Sequence, residues 1–292
     1  MTSLIGVSGR TDSFVHNLPT NIKDVAPTPP VSWIPLAPGK VFLHWFEGSN
    51  VYDVGDRVEA NSTLTADWMN PKYAVLYKYD KDKDVGDYLV DLEEVWTKCG
   101  GFTHIQAWVI GGGGGPGVSL EDEKSGGGGG SGDFVTNIFM PIRGFVEDRQ
   151  SEGFLSRYLY IHVGKGGYAI SQVRPMKKAW YYDSDGSYVA EGVLKDKDST
   201  VIGRVQDYKP GSRYASANGG RPGSANKGGS AGGRNGGAGG DPDGASFGAG
   251  GLIPALVEEV IITPDILLES EQPIRVKCSP GSVDQDGAFG GG

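Results

Sequence analysis

The chain has 292 residues, with 27 basic against 36 acidic side chains and a formal net charge of −9. That length suits one large all-β domain or two ordinary ones. The acidic balance argues against a sequence-independent grip on nucleic acid.

Glycine is the outlier: 49 residues, about 17% against a usual ~7%. The 6 Trp, 13 Tyr and 10 Phe exceed what a disordered chain carries, so a folded β protein with long glycine-rich loops is expected. Met1-Thr-Ser-Leu-Ile-Gly6 has no basic region leading into an apolar run, and no signal peptide is expected. No apolar stretch nears the ~18 residues of a membrane span, so no membrane insertion is expected either. Cys99 and Cys278 are too few and too far apart for a disulfide framework or a zinc site. Two buried free thiols are the expectation.

Residues 1–40 are rich in Pro, Ser, Thr and Asn. Because proline cannot donate to a sheet ladder, they read as an extended N-terminal arm lying on a partner, or as a partly disordered terminus. Residues 41–95 read as a β-rich attachment region. Val41–Phe46 is its first strand, Asn61–Met69 is read as a helical turn, and Tyr73–Tyr79 with Asp87–Leu92 suggest a hairpin around a charged turn.

Residues 96–292 read as a glycine-rich β domain. In Phe102–Ile110, Phe102, His104, Gln106 and Trp108 alternate with Thr103, Ile105, Ala107 and Val109, a period of two that predicts a strand. It runs straight into Gly111, Gly112, Gly113, Gly114 and Gly115. A second run, Gly126, Gly127, Gly128, Gly129 and Gly130, precedes a strand over Phe134–Met140, and Phe154–Val163 is a strand ending in Gly164-Lys-Gly-Gly167. Lys178–Tyr182, a turn at Asp183–Gly186 and Tyr188–Leu194 read as a hairpin inserted near 178–208. Residues 211–251 form the longest irregular segment, after which strands resume at 252–262, 266–268 and 274–278.

Glycine runs fit either of two descriptions. They are solvated linkers, as glycine-serine runs usually are, or they are left-handed helices of the polyproline II type with three residues per turn. Such helices, laid side by side without Cβ atoms between them, satisfy one another's backbone groups. Strong strands bracketing the runs favour the second description.

Little conventional chemistry is visible. Asp80–Asp91 places Asp at positions one, three, five and twelve of a calcium loop, but Gly86 sits at position seven, two lysines intervene and the flanks are not helical. A solvated turn is the better reading. The glycine runs lack the Gly-Lys-Ser/Thr of a phosphate loop, and His16, His44, His104 and His162 have no metal-ligand spacing. Glu93-Glu94 and Glu258-Glu259 are adjacent carboxylates with no sign of a glycosidase arrangement. No catalytic residue, cofactor or metal is expected.

Trp96 through Gly115, with Val163-Gly-Lys-Gly-Gly167 and the later glycine loops, resembles the glycine-rich domain of bacteriophage virion proteins. That domain occurs in tail fibres, tip adhesins and minor structural proteins. The likeness spans roughly residues 93–292; Leu120-Glu-Asp-Glu-Lys124 and the 178–208 region depart from the pattern. It implies an all-β, sandwich-like sheet scaffold with long ordered glycine-rich loops, in a virion protein that is not an enzyme. It also implies a homotrimer docked to other virion proteins through the N-terminal region, with a host surface glycan or outer-membrane protein as receptor. The receptor-facing residues expected on the loops are Tyr214, Arg221, Asn226, Arg234, Asn235 and Phe247. The alternatives are a virion-associated glycan depolymerase and a purely architectural capsid or tail component.

Overall fold

The computed structural model describes residues 5–6, 13–15, 40–52, 63–102, 105–119, 126–139, 157–172, 178–196, 203–233, 241, 259–265 and 273–277. The chain divides into two compact units, Met1–Val75 with Val260–Arg275, and Leu76–Glu259 with Val276–Gly292.

The first unit is built on a five-stranded antiparallel sheet. Its strands are β1 (Ile5–Gly6), β2 (Ser13–Val15), β3 (Val41–Glu47), β4 (Asn50–Tyr52) and β5 (Thr63–Met69), in the order β1-β2-β5-β3-β4. Two short pieces of the proline-rich N-terminal region therefore belong to this sheet. β3 and β4 are joined through Gly48-Ser49, with Gly48 at φ +60, the left-handed conformation a two-residue hairpin turn requires at its first central position.

Asn61–Met69, read from sequence as a helical turn, is strand β5 over its described part. Leu64 and Ala66 alternate inward on either side of half-buried Thr65, a β-branched residue that suits a pleated surface. Phe42 and Trp45 are an odd number of residues apart, which ordinarily puts side chains on opposite faces. The ladder with β5 shifts register between Phe42 and His44. This bulge spends one residue, leaves Leu43 exposed and buries both rings together at 5.2 Å.

The second unit carries β6 (Asp87–Asp91), α1 (Leu92–Cys99), β7 (Ile105–Ile110), β8 (Phe134–Phe139), β9 (Tyr158–His162), β10 (Tyr168–Gln172), β11 (Lys178–Tyr182), β12 (Ser187–Leu194) and β13 (Tyr208–Ala217). A four-stranded antiparallel sheet runs β13-β12-β9-β6, while β7 pairs with β8 and β10 with β11. β14 (Glu259–Ile262) and β15 (Ile274–Lys277) form a further pair.

The inward row of β7–β8 (Ile105, Ala107, Val109, Val135 and Phe139) packs on Leu159, Ile161, Val189, Ala215 and Ala217 of the four-stranded sheet, with Leu92 fully buried beside them. Tyr214 stacks on Phe139 with ring centroids 4.5 Å apart and planes 4° from parallel. On the sheet's other face Tyr158, Tyr160 and Tyr208 cluster. Burial pushes the Tyr160 and Tyr208 hydroxyls well above the ordinary phenol range.

Several sequence expectations are revised here. β6 pairs with β9, whereas Tyr73–Tyr79 contributes no strand; only the Asp80–Val85 bridge closes the charged turn. A five-residue register with β9 outcompetes a short hairpin. Asp80 Oδ1 accepts the N–H groups of Asp82 and Lys83, and Lys83 Nζ sits 3.0 Å from its other oxygen. The first carboxylate of the calcium-like run is thus spent on its own turn.

Lys178–Tyr182 and Tyr188–Leu194 do not form a hairpin. β11 pairs with β10, and β12 lies between β9 and β13, because Asp183–Gly186 is drawn among the glycine segments instead of closing a turn. Residues 211–217, read as the start of an irregular loop, complete β13. Pro210 and Gly211 disguise that strand; they fall on a sheet edge where register shifts against β12 between Ala190 and Gly192.

Candidate functional site

Strands β7 and β8 end where the glycine runs begin, and their antiparallel relation continues into them. The N–H groups of Gly111, Gly114 and Gly117 donate to the carbonyls of Asp133, Gly130 and Gly127 at 3.0, 2.7 and 2.6 Å. Gly127, Gly130 and Asp133 in turn donate to Ser224, Arg221 and Asn218 at 2.9, 2.9 and 2.8 Å. Arg221 and Ser224 donate to Ser230 and Lys227. Two parallel sets close the array: Gly220 and Gly223 onto Gly112 and Gly115, and Gly229 and Gly232 onto Gly128 and Ser131.

In each set the bonded residues recur every third position. A β-ladder would repeat every second residue. Three residues per turn is the repeat of a left-handed extended helix without internal hydrogen bonds. The Gly164–Gly167 and Asp183–Gly186 segments join at the side, with Gly167 donating to Gly113, Asp185 to Lys165 and Gly112 to Asp185.

The same period decides where a side chain fits. A methyl built on Gly111, Gly114 or Gly117 would come within 2.0–2.1 Å of the carbonyl oxygens of Asn218, Arg221 and Ser224. On Gly126, Gly129 or Gly132 it would meet those of Gly117, Gly114 and Gly111 at 1.9–2.1 Å. Gly113 has nothing within 4 Å, and three residues on, the same row carries exposed Pro116. Glycine is thus obligatory on the inward rows and optional on the outward one.

The expected receptor-facing residues separate. Tyr214 lies in β13, packed against the core, because the strand extends past Gly211. Arg221 and Asn226 are exposed, Arg221 within the bonded array and Asn226 in the bend that follows it. Arg234, Asn235 and Phe247 lie outside the described residues, as do His16, His104 and Cys278. Cys99 is buried and free. Glu93 and Glu94 stand on α1, paired with Arg157 at 2.6 Å and Lys98 at 2.7 Å respectively. Among the described residues, no group of three or more His, Cys, Asp or Glu is placed to hold a metal ion, and no helix is long and apolar enough to cross a membrane.

The ribbon β10–β11 is a further candidate surface that the list of receptor-facing residues lacks. Tyr168, Ile170, Trp180 and Tyr182 are exposed and share one face by register, Tyr168 opposite Tyr182 and Ile170 opposite Trp180. The two tyrosine rings stack at 4.3 Å, and Lys178 Nζ lies 5.0 Å from the Trp180 ring. Tyr181, on the opposite face, has its hydroxyl 3.4 and 3.3 Å from the backbone N and O of Val118. That contact fixes the ribbon to the end of the first glycine segment. The i, i+2 spacing of Trp180 and Tyr182 carries this signal, since such residues share a face of a strand.

The geometry defines a class: a mostly antiparallel β protein in which glycine segments are tied to one another, backbone to backbone, at a three-residue period. Comparison with family models, curated proteins and solved structures finds no match.

Proposed function

We propose that the chain is a bacteriophage structural protein of the fibre or adhesin type, in which a β-sandwich supports a bundle of polyglycine II helices that presents side chains for host attachment. The observation that carries this reading is the three-residue period of the hydrogen bonds between 111–117, 127–133, 218–224 and 227–232. A bundle bonded through its backbone depends on glycine only at inward positions. Outward positions such as Pro116, Arg221 and Asn226 are therefore free to carry recognition chemistry without disturbing the support.

The exposed ribbon fits the same role, because aromatic residues with polar neighbours are favoured at recognition surfaces. In this reading the protein is a component of the virion, docks to other virion proteins through its N-terminal region and assembles as a homotrimer. Its receptor is a host surface glycan or an outer-membrane protein.

The test is adsorption in the presence of the purified full-length protein. Phage carrying this chain is expected to adsorb more slowly to its host as soluble protein is added, in a saturable manner. Adsorption that stays unchanged while labelled protein fails to bind host cells would contradict the attachment role and leave an architectural one.

A further inference from the structure

The outward rows of two neighbouring glycine segments are not glycine. Asn218, Arg221 and Ser224 recur every third residue on one segment and are all exposed; Lys227 and Ser230 are exposed on the next. The backbone bonds Arg221 N to Ser230 O and Ser224 N to Lys227 O, at 2.9 and 2.8 Å, set the two rows side by side. At about 3.1 Å per residue, successive side chains along a row stand roughly 9 Å apart.

All five side chains are of hydrogen-bonding type, two are cationic and none is acidic. Of the nearby acids, the Asp241 carboxylate accepts the Gly228 N–H at 2.7 Å, and Asp133 sits at the base of the array against Gly233. The Ser224 hydroxyl donates to the Lys227 carbonyl at 3.2 Å, keeping its oxygen as an acceptor.

We propose that this pair of rows binds an extended anionic polysaccharide. The inference rests on the attachment reading above and names its ligand class. Arg221 presents a planar fork suited to a carboxylate or sulfate, and Lys227 a second cation one step along. Asn218, Ser224 and Ser230 supply donors and acceptors for sugar hydroxyls. The backbone beneath is already tied down, so little freedom is lost on binding. Single-stranded nucleic acid is the poorer fit: the rows offer no aromatic platform on which bases could stack.

The experiment measures binding of the full-length protein to polygalacturonate, dextran sulfate, neutral dextran and single-stranded DNA. Binding to one or both acidic polymers is expected, weakening as salt rises; comparing them separates carboxylate from sulfate recognition. The Arg221→Gln/Lys227→Gln double variant is expected to lose roughly tenfold or more in affinity while melting at the wild-type temperature. Arg204→Gln, which removes an exposed cation elsewhere, is expected to bind as wild type.

Equal binding by the double variant, no binding to either acidic polymer, or equal affinity for neutral dextran or DNA would overturn the proposal. If soluble protein still slows adsorption in that event, the attachment reading stands and only the ligand class falls. If the rows bind acidic polymer but adsorption is untouched, attachment falls and the site remains.

Discussion

Replacing Gly114 by alanine is expected to destabilise the second unit by about 3 kcal/mol, the upper end of ordinary overpacking, whereas the same change at Gly113 is expected to shift stability by no more than about 0.5 kcal/mol. The two residues are neighbours in sequence and identical in chemistry; they differ in what a methyl group meets. At Gly114 it would lie 2.1 Å from the Arg221 carbonyl oxygen, which already accepts the Gly130 N–H at 2.9 Å. That oxygen belongs to backbone bonded on both sides, so it cannot swing away as a flexible side chain would.

At Gly113 the methyl would enter open space, and the backbone there is not in the left-handed region that strains an L-residue. Urea or thermal unfolding of both variants checks the contrast. Equal tolerance at the two positions would mean that the segments slide freely past one another.

Asp91→Ala is expected to cost about 2 kcal/mol, combining the loss of a helix N-cap, ~1 kcal/mol, with the loss of a partly exposed, bidentate ion pair, up to ~1 kcal/mol. Asp91 accepts the Glu93 N–H at 3.0 Å and so caps α1, and Arg157 grips the same carboxylate through Nε at 2.9 Å and a terminal nitrogen at 2.5 Å. Asp91→Asn keeps the cap and removes the charge, so it is expected to cost about half as much.

Burial works to raise the Asp91 pKa, but the Arg157 hydrogen bonds and the Glu93 amide outweigh it and hold the carboxyl below its usual value. A carboxyl depressed in the folded state stabilises the fold above its unfolded pKa, near 4. That contribution is lost as pH falls from there through the lower folded value. Urea unfolding at pH 7 and pH 3 should therefore show a smaller acid loss in Asp91→Asn than in wild type. Identical acid losses would remove Asp91 from the account.

α1 is also legible in the sequence. Asp91 before Leu92, the acidic Glu93 and Glu94 in the first turn, Lys98 in the last, and Gly100 at φ +62 just beyond are a full set of helix punctuation. Eight residues between two strands are easily absorbed into a strand-centred reading. The alternation of β7 and the strand character of β8 are plain from β-branched and aromatic residues at period two, although β7 is half-buried along most of its length, with Val109 buried, and β8 buries Phe134 and Thr136.

β5 is the harder strand to read, although Leu64 and Ala66 supply its alternation. Tyr214 falls in a strand that Pro210-Gly211 conceals, because that pair looks like the start of a loop. Only the neighbouring strand β12, with its compensating irregularities, shows how an edge strand accommodates both.

For the glycine runs, sequence alone suggested mutual pairing and could not name partners. That 127–133 bonds to 218–224, some ninety residues away, depends on where β8 and β13 end in space. The aromatic ribbon was half visible. Trp180 and Tyr182 share a face by spacing, but whether they fill a core or meet solvent depended on β11 pairing with β10 and not with β12.

Residue-resolved amide hydrogen exchange on the intact protein tests the central arrangement most directly. Protection is expected at Gly111, Gly114 and Gly117, at Gly127 and Gly130, and at Gly220, Gly223, Gly229 and Gly232, whose N–H groups all have backbone partners. The pattern to look for is slow exchange that repeats every three residues: at 111, 114 and 117 with Gly112 beside them, at 127, 130 and 133, and at the pairs 220–221 and 223–224. Uniformly rapid exchange across all of them, at rates typical of an unstructured chain, would contradict a backbone-bonded array and the display role built on it.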